Sequence, residues 1–303
     1  MKEYPCSSTD LPAWLAQAYP FARREIDLDG RRMNLVDEGE GPCVLLMHGN
    51  PTWSYLWRKV IPPLVEAGFR VVAPDMIGLG LSEKPRRVDA HSMAFHVENL
   101  VTLVGLLDLN GMIVVGQDWG GPQVAGMAAR CPDRVVGAVF ANTAIQPPDR
   151  RIKATKFHRF ANRPFVSTVA FRGFNFPMPM LPKVQGDPAS LGPDEMRAYR
   201  YPLSSWGNRA APLALARMVP IGEDHPSIAG LAQCEAWAKT FSGPVSLVWG
   251  LRDPILGRSL KRVQALFPDA PVTETQAGHF LQEEVPEALV ATIQDVARRV
   301  PQG

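Results

Sequence analysis

Gly116-Gln117-Asp118-Trp119-Gly120 is the stretch whose reading decides the fold. Before it runs Met112-Ile113-Val114-Val115, a short β-branched apolar run that predicts a strand. After it, the segment from about Trp119 to Arg130 predicts a helix. A sharp strand-to-helix turn flanked by glycines is a nucleophile elbow, which holds one side chain above the end of a sheet. Serine usually occupies that position; here it is Asp118. The residue type narrows the chemistry. A serine that displaces a group from saturated carbon leaves an ether, which water does not cleave. An aspartate doing the same leaves an ester, and water can attack its carbonyl. Asp118 therefore points to attack on an alkyl carbon, as in a carbon–halogen bond or an epoxide. The competing reading is an aspartate that only caps the helix.

Outward from the elbow, strands and helices alternate. Upstream, Ile26-Asp27-Leu28 and Met33-Asn34-Leu35-Val36 flank an Asp29-Gly30 turn and predict an opening hairpin. Val44 to Met47 is a continuous apolar run, expected of a strand buried on both faces. A helical stretch from about Thr52 to Glu66 must break or restart at Pro62 and Pro63. Arg70 to Ala73 predicts a strand, and His91 to Leu107 carries apolar residues at helical spacing. Beyond the elbow helix come a strand at Val135 to Asn142, another at Val245 to Trp249 and a third at Val272 to Thr275. A helix from about Pro286 to Arg299 closes the chain. This alternation predicts a mostly parallel sheet with helices on both faces. Between Gln146 and Gly222 the strand signal disappears and Pro, Arg, Phe and Met rise. The expected organisation is a core of residues 1–145 and 223–303, with 146–222 inserted as a mostly helical unit after the sixth predicted strand.

Composition allows a large core and narrows the partners. The chain has 303 residues, 46% hydrophobic and 20% charged, with a net charge of +2. No basic field is offered to nucleic acid. The first twenty residues, with Pro5, Pro12 and Pro20, do not read as a signal peptide, and no stretch approaches a transmembrane span. Cys6, Cys43, Cys131 and Cys234 are scattered without CxxC spacing. They read as reduced thiols of a cytoplasmic protein, with neither disulfide nor metal.

An elbow nucleophile is followed in chain order by an acid and then a histidine. Among the histidines, His279 lies in Ala277-Gly278-His279-Phe280, just after the last predicted strand, where a base is due. Asp253 follows the strand ending Trp249-Gly250 and is the leading acid; its alternative role is a turn aspartate before Pro254. Asp149 and Asp269 are weaker candidates. The His48-Gly49-Asn50-Pro51 loop is expected to give a backbone N–H, from Asn50, to an oxyanion hole shared with the amide of Trp119. The Asn50 side chain and the Trp119 indole are two neutral donors beside a carboxylate nucleophile, which suits a departing halide.

The chain resembles the haloalkane dehalogenases of the α/β-hydrolase superfamily. The blocks that carry the resemblance are His48 to Arg58, Pro74 to Pro85, Gln117 to Gly120, Gly250 to Pro254 and Gly278 to Glu283, so it covers nearly the whole chain. It implies an α/β-hydrolase fold with an eight-stranded, mostly parallel sheet and a helical cap. It puts the nucleophile on Asp118, the base on His279, the acid on Asp253 and the halide donors on Trp119 and Asn50. Asn142, near the end of the sixth predicted strand, is neutral, which leaves the acid to Asp253. Trp206, late in the insertion, is expected to pack.

The implied reaction is a two-step hydrolysis of a haloalkane to alcohol, halide and a proton through an alkyl ester on Asp118. It needs no cofactor and no metal. The partners are a small halogenated hydrocarbon, halide and water; monomer and dimer remain open. The helix N-terminus beneath Asp118 is expected to keep it ionised, by ~0.3–1 kcal/mol. Three alternatives stand beside this reading. An epoxide hydrolase would use cap tyrosines, and Tyr199 and Tyr201 are available. A β-lactone decarboxylase of olefin biosynthesis shares the Trp249 to Asp253 block and the Ser205 to Arg209 style of cap segment. A non-catalytic ligand receptor on the same fold would have lost the triad.

Overall fold

The computed structural model describes residues 3–5, 11–148 and 155–301; Cys6 and the acid candidate Asp149 lie outside the described residues. The strands are β1 (Glu3–Pro5), β2 (Arg23–Asp27), β3 (Arg32–Glu38), β4 (Cys43–Met47), β5 (Arg70–Pro74), β6 (Met112–Asp118), β7 (Val135–Thr143), β8 (Val245–Gly250) and β9 (Val272–Thr275). They form one sheet in the order β1-β2-β3-β5-β4-β6-β7-β8-β9. Strands β2 to β9 are the eight expected from the sequence, and β1 adds a ninth, three residues long, at the edge. The pairs from β1 to β5 across β2 and β3 are antiparallel, and every pair from β5 to β9 is parallel.

Local chemistry explains the turns. Leu28 and Arg31 exchange both backbone hydrogen bonds around Asp29 and Gly30, which have φ of 52° and 86°. Positive φ at both central residues matches the twist of the flanking strands, and Asp-Gly accepts it at low cost. The expected helix after β4 is split, with a 3₁₀ turn at Ser54–Trp57 and a helix at Ile61–Glu66. Pro62 and Pro63 sit in the first turn of that second helix, where a missing N–H breaks no bond.

β4 to β8 supply an almost wholly buried apolar centre. The helix Gly120–Arg130 packs on β4, β6 and β7, with Met93–Leu106 and Ser227–Thr240 against it, while Pro286–Arg299 packs on β6, β7 and β8. The chain leaves β4 for β5 on one side and returns to β6 on the other. Such a reversal opens a crevice beyond the carboxyl ends of the strands. The His48 to Pro51 loop and Asp118 both lie there.

Between β7 and β8 the described residues form helices and 3₁₀ turns, including Lys156–Ala161, Pro164–Thr168, Pro193–Arg200 and Ala210–Met218, and no strand. Ala161, Phe171, Leu213 and Ala216 make a small core of their own. The phenylalanines of this segment divide. Phe171 is buried, whereas Phe165 and Phe174 are 80% and 78% exposed. Trp206 does not pack as expected. It is 47% exposed and lies under the Arg172 guanidinium, 4.9 Å from its ring centre. Among the described residues, no helix is long and apolar enough to cross a membrane.

Candidate active site

Asp118 ends β6 with φ of 51°, a left-handed conformation that most side chains resist. The neighbouring backbone is packed too closely for side chains. A Cβ on Gly116 would come 2.6 Å from Gly121 Cα, and one on Gly120 would collide with the Met47 carbonyl. Thr143 Oγ1 donates to the Asp118 carbonyl at 2.6 Å and pins the turn from β7. The helix then starts at Gly120, one residue later than the sequence predicts.

His279 is buried between two carboxylates. Its Nδ1 lies 2.9 Å from Asp253 Oδ2, and its Nε2 lies 3.8 Å from Asp118 Oδ2. An ionised Asp253 only accepts, so Nδ1 carries hydrogen and Nε2 faces the elbow. Asp253 Oδ1 accepts from the Ile255 N–H at 2.7 Å. One Asp253 oxygen thus serves the turn around Pro254, and the other is bonded to His279. Asp269 is exposed.

The backbone N–H of Asn50 donates to Asp118 Oδ1 at 2.7 Å. Its side-chain Nδ2 donates to the Pro212 carbonyl at 3.1 Å, which commits one of its two N–H bonds to the helix Ala210–Met218. The Trp119 indole belongs to a cavity wall and is 7% exposed. His48 plays a supporting part. Its Nε2 accepts from the Met76 N–H at 2.9 Å, and its Nδ1 lies 2.9 Å from the Gly49 carbonyl.

The electrostatics separate the two aspartates. Burial pushes Asp118 above the usual carboxylate range, against the lowering effects of His279 and of the Asn50 and Trp119 amides. The stabilisation expected from the helix end is thus outweighed by desolvation. Burial also opposes ionisation of Asp253, yet His279 and the Ile255 and Leu256 amides bring it below the ordinary value. Burial lowers His279, but Asp253 and then Asp118 raise it above the usual imidazole value.

Two positioning residues are not evident from the sequence. Asn142, whose neutrality only helped to exclude an acid after β7, donates to Asp253 Oδ2 at 2.8 Å and to the Gly278 carbonyl at 3.1 Å. Its Oδ1 accepts from the Gly250 N–H at 2.8 Å. One amide thus ties together β7, β8 and the loop that carries His279. Gln117 Nε2 donates to the His279 carbonyl at 3.0 Å and lies 3.3 Å from its Nε2. Position beside the nucleophile was the only sequence signal for Gln117. Further back, buried Glu283 takes both Arg58 terminal nitrogens, at 2.5 and 2.8 Å, and the Tyr199 hydroxyl at 2.5 Å.

Asp118 and Trp119 line a cavity of about 630 Å³ whose apolar wall includes Val219, Leu231 and Ile255. That size suits a small organic ligand. Asn50, Asp253 and His279 do not line it. Among the described residues, no group of three or more His, Cys, Asp or Glu side chains is arranged to hold a metal ion.

Residues 42–286 match the α/β hydrolase fold family. The chain is 36% identical to haloalkane dehalogenase 2 of Mycobacterium tuberculosis over 91% of this chain and 95% of that protein. It is 34% identical to the haloalkane dehalogenase of Mycolicibacterium paratuberculosis, over 88% and 89%. The chain belongs to the haloalkane dehalogenase family. The crystal structure of the haloalkane dehalogenase DatA from Agrobacterium tumefaciens superposes with a TM-score of 0.81 at 26% identity, over 90% of this chain and 96% of that one. The tetrameric dehalogenase DpaA from Paraglaciecola agarilytica gives 0.79 at 26% identity, over 98% of each. Within a dehalogenase framework, the tyrosines that an epoxide hydrolase would need are placed elsewhere. Tyr199 is bonded to Glu283, Tyr201 packs edge-on against Trp14, and neither lines the cavity.

Proposed function

We propose that this protein is a haloalkane dehalogenase that hydrolyses carbon–halogen bonds through an alkyl ester on Asp118. The single observation that carries this reading is an aspartate, not a serine, at the elbow, with His279 Nε2 3.8 Å from its carboxylate. In the first step, Asp118 displaces halide from an alkyl carbon while the Trp119 indole and the remaining Asn50 side-chain N–H receive the leaving ion. Alkylation removes the charge of Asp118, and with it one of the two carboxylates that raise His279. The imidazole then releases its proton more readily and becomes a base for water. Water attacks the aspartyl carbonyl, the oxyanion forms against the Asn50 and Trp119 amides, and alcohol departs. Its oxygen comes from Asp118, and water oxygen replaces it.

Residues 1–145 and 223–303 are read as the catalytic core and 146–222 as a helical cap over it. A reducing, cytoplasmic setting accords with free Cys43, Cys131 and Cys234. The relatives are named as dehalogenases, which disfavours the β-lactone decarboxylase and epoxide hydrolase readings. The test is a His279→Gln variant mixed with 1-bromobutane. Intact-protein mass is expected to rise by one butyl group, mapping to Asp118; an unmodified mass overturns the mechanism.

A further inference from the structure

The cavity above Asp118 carries more charge than an alkyl chain can use. Arg258, Arg262, His158, Thr155 and Gln146 line it together with the apolar residues, and Asp118 is the only carboxylate in its wall among the described residues. Arg262 is engaged: it donates to the Pro147 carbonyl, and its own carbonyl accepts from Gln146 at 2.7 Å. Arg258 is different. It is exposed, and among the described residues it makes no hydrogen bond or ion pair. Its field reaches into the cavity. Burial first, and then Arg258, bring His158 down to about 4, so that imidazole is neutral beside Thr155, whose Oγ1 lies 2.9 Å from its Nδ1.

The segment that bears Arg258 is also fastened to the elbow. Ser259 Oγ donates to the Thr143 carbonyl at 3.0 Å, and Thr143 Oγ1 donates to the Asp118 carbonyl. The backbone beside Arg258 is therefore tied to the nucleophile's turn, and its guanidinium, without a partner among the described residues, shares a cavity with Asp118. Simple haloalkanes give it nothing to bind.

We propose that the cavity takes halogenated alkyl chains that end in a carboxylate, with the halogen at Asp118 and Trp119 and the carboxylate at Arg258. This inference rests on the dehalogenase reading above. The chemistry is unchanged. An Asp118 oxygen forms a bond to the terminal carbon as halide leaves with the bonding pair. Water then cleaves the ester, giving a hydroxycarboxylate, halide and a proton. Arg258 is exposed and screened by salt, so it acts mainly on capture of the substrate and less on the bond-breaking step.

The test compares kcat/KM, from bromide release, for 6-bromohexanoate and for neutral 6-bromo-1-hexanol. At low ionic strength the acid is expected to lead by about fivefold or more. The lead should shrink toward unity in Arg258→Gln, persist in Arg258→Lys and fall as sodium sulfate is added. Because the ratio is read, a general loss of activity in a variant does not imitate the effect. Equal or faster turnover of the alcohol overturns the inference, as does an acid preference that survives Arg258→Gln. In either case bromide release from the alcohol leaves the dehalogenase reading standing. Release from neither compound, nor from 1-bromobutane, sinks that reading and this inference with it.

Discussion

The carboxyl ends of β6 and β8 each present an aspartate to His279, and the two ends treat the same side chain in opposite ways. The Asp253 side chain is completely buried, yet its pKa lies below the ordinary value. The Asp118 side chain keeps 15% exposure, yet its pKa lies above it. Side-chain exposure alone would give the reverse order. The difference is in the donors. Asp253 receives Ile255, Asn142 and His279 at 2.7–2.9 Å, which replaces water for both oxygens. Asp118 accepts the Asn50 amide on one oxygen at 2.7 Å, and its other oxygen is 3.8 Å from the imidazole. A fully satisfied carboxylate orients and stays put; an under-satisfied one is left with a lone pair to react.

Replacing each aspartate in turn tests this contrast most severely. Asp118→Asn should abolish turnover, by about 10⁴-fold or more, because the amide is no nucleophile. It should also raise stability by about 1 kcal/mol, or roughly 2 °C in Tm at neutral pH. The sign follows from linkage. A carboxyl whose folded pKa is raised opposes folding once it ionises, so the gain exists above its folded pKa and fades as pH falls toward 3.8. Asp253→Asn should slow ester hydrolysis by about 10³–10⁴-fold and let the alkyl enzyme accumulate. Its Tm shift should be downward, because a lowered pKa stabilises the fold above the unfolded value. Thermal melts of the two variants that move in the same direction would break the comparison.

A smaller effect is expected from Asn142→Ala. It removes a donor from Asp253 and the link between β7, β8 and the His279 loop. Turnover should fall about tenfold to a hundredfold through misorientation, with about 1–3 kcal/mol of stability lost. Single-turnover kinetics should assign the defect to ester hydrolysis and leave halide release nearly intact. The mildest perturbation is pH. His279 serves only when neutral, so the hydrolytic step should accelerate as pH climbs, with a midpoint below that of the free enzyme because the Asp118 charge is gone from the ester; in the free enzyme the imidazole titrates above 6.5. Its stabilising charge is present below 6.5 and is lost over the same climb. A hydrolytic step that stays flat from about pH 5 to 9 would contradict a base role for His279.

The strand ends were legible because their signals are local. Met112 to Val115 announces β6, and Val272–Thr275 and Pro286–Arg299 fall where the pattern put them. The meeting of Asp118, Asp253 and His279 followed from their order along such strands. Asn142 was not legible, because its meaning depends on Asp253 and Gly278, more than a hundred residues downstream. Nor was the fate of Trp206. An aromatic residue in an apolar stretch resembles core until its neighbours are known, and here its neighbour is Arg172. The insertion gave little away for a related reason. Its helices are short, and what they cover depends on the loops between them.

The glycines around the elbow have a consequence for how such an enzyme diversifies. Gly116, Gly120 and Gly121 are locked by backbone and by Thr143, and a Cβ on Gly49 would strike the Asp118 side chain itself. In a randomised library these positions should return almost no survivors. Arg258, exposed in the cavity wall, meets no comparable obstacle. Adaptation to new substrates is therefore channelled to the rim, while the reacting centre is inherited nearly unaltered.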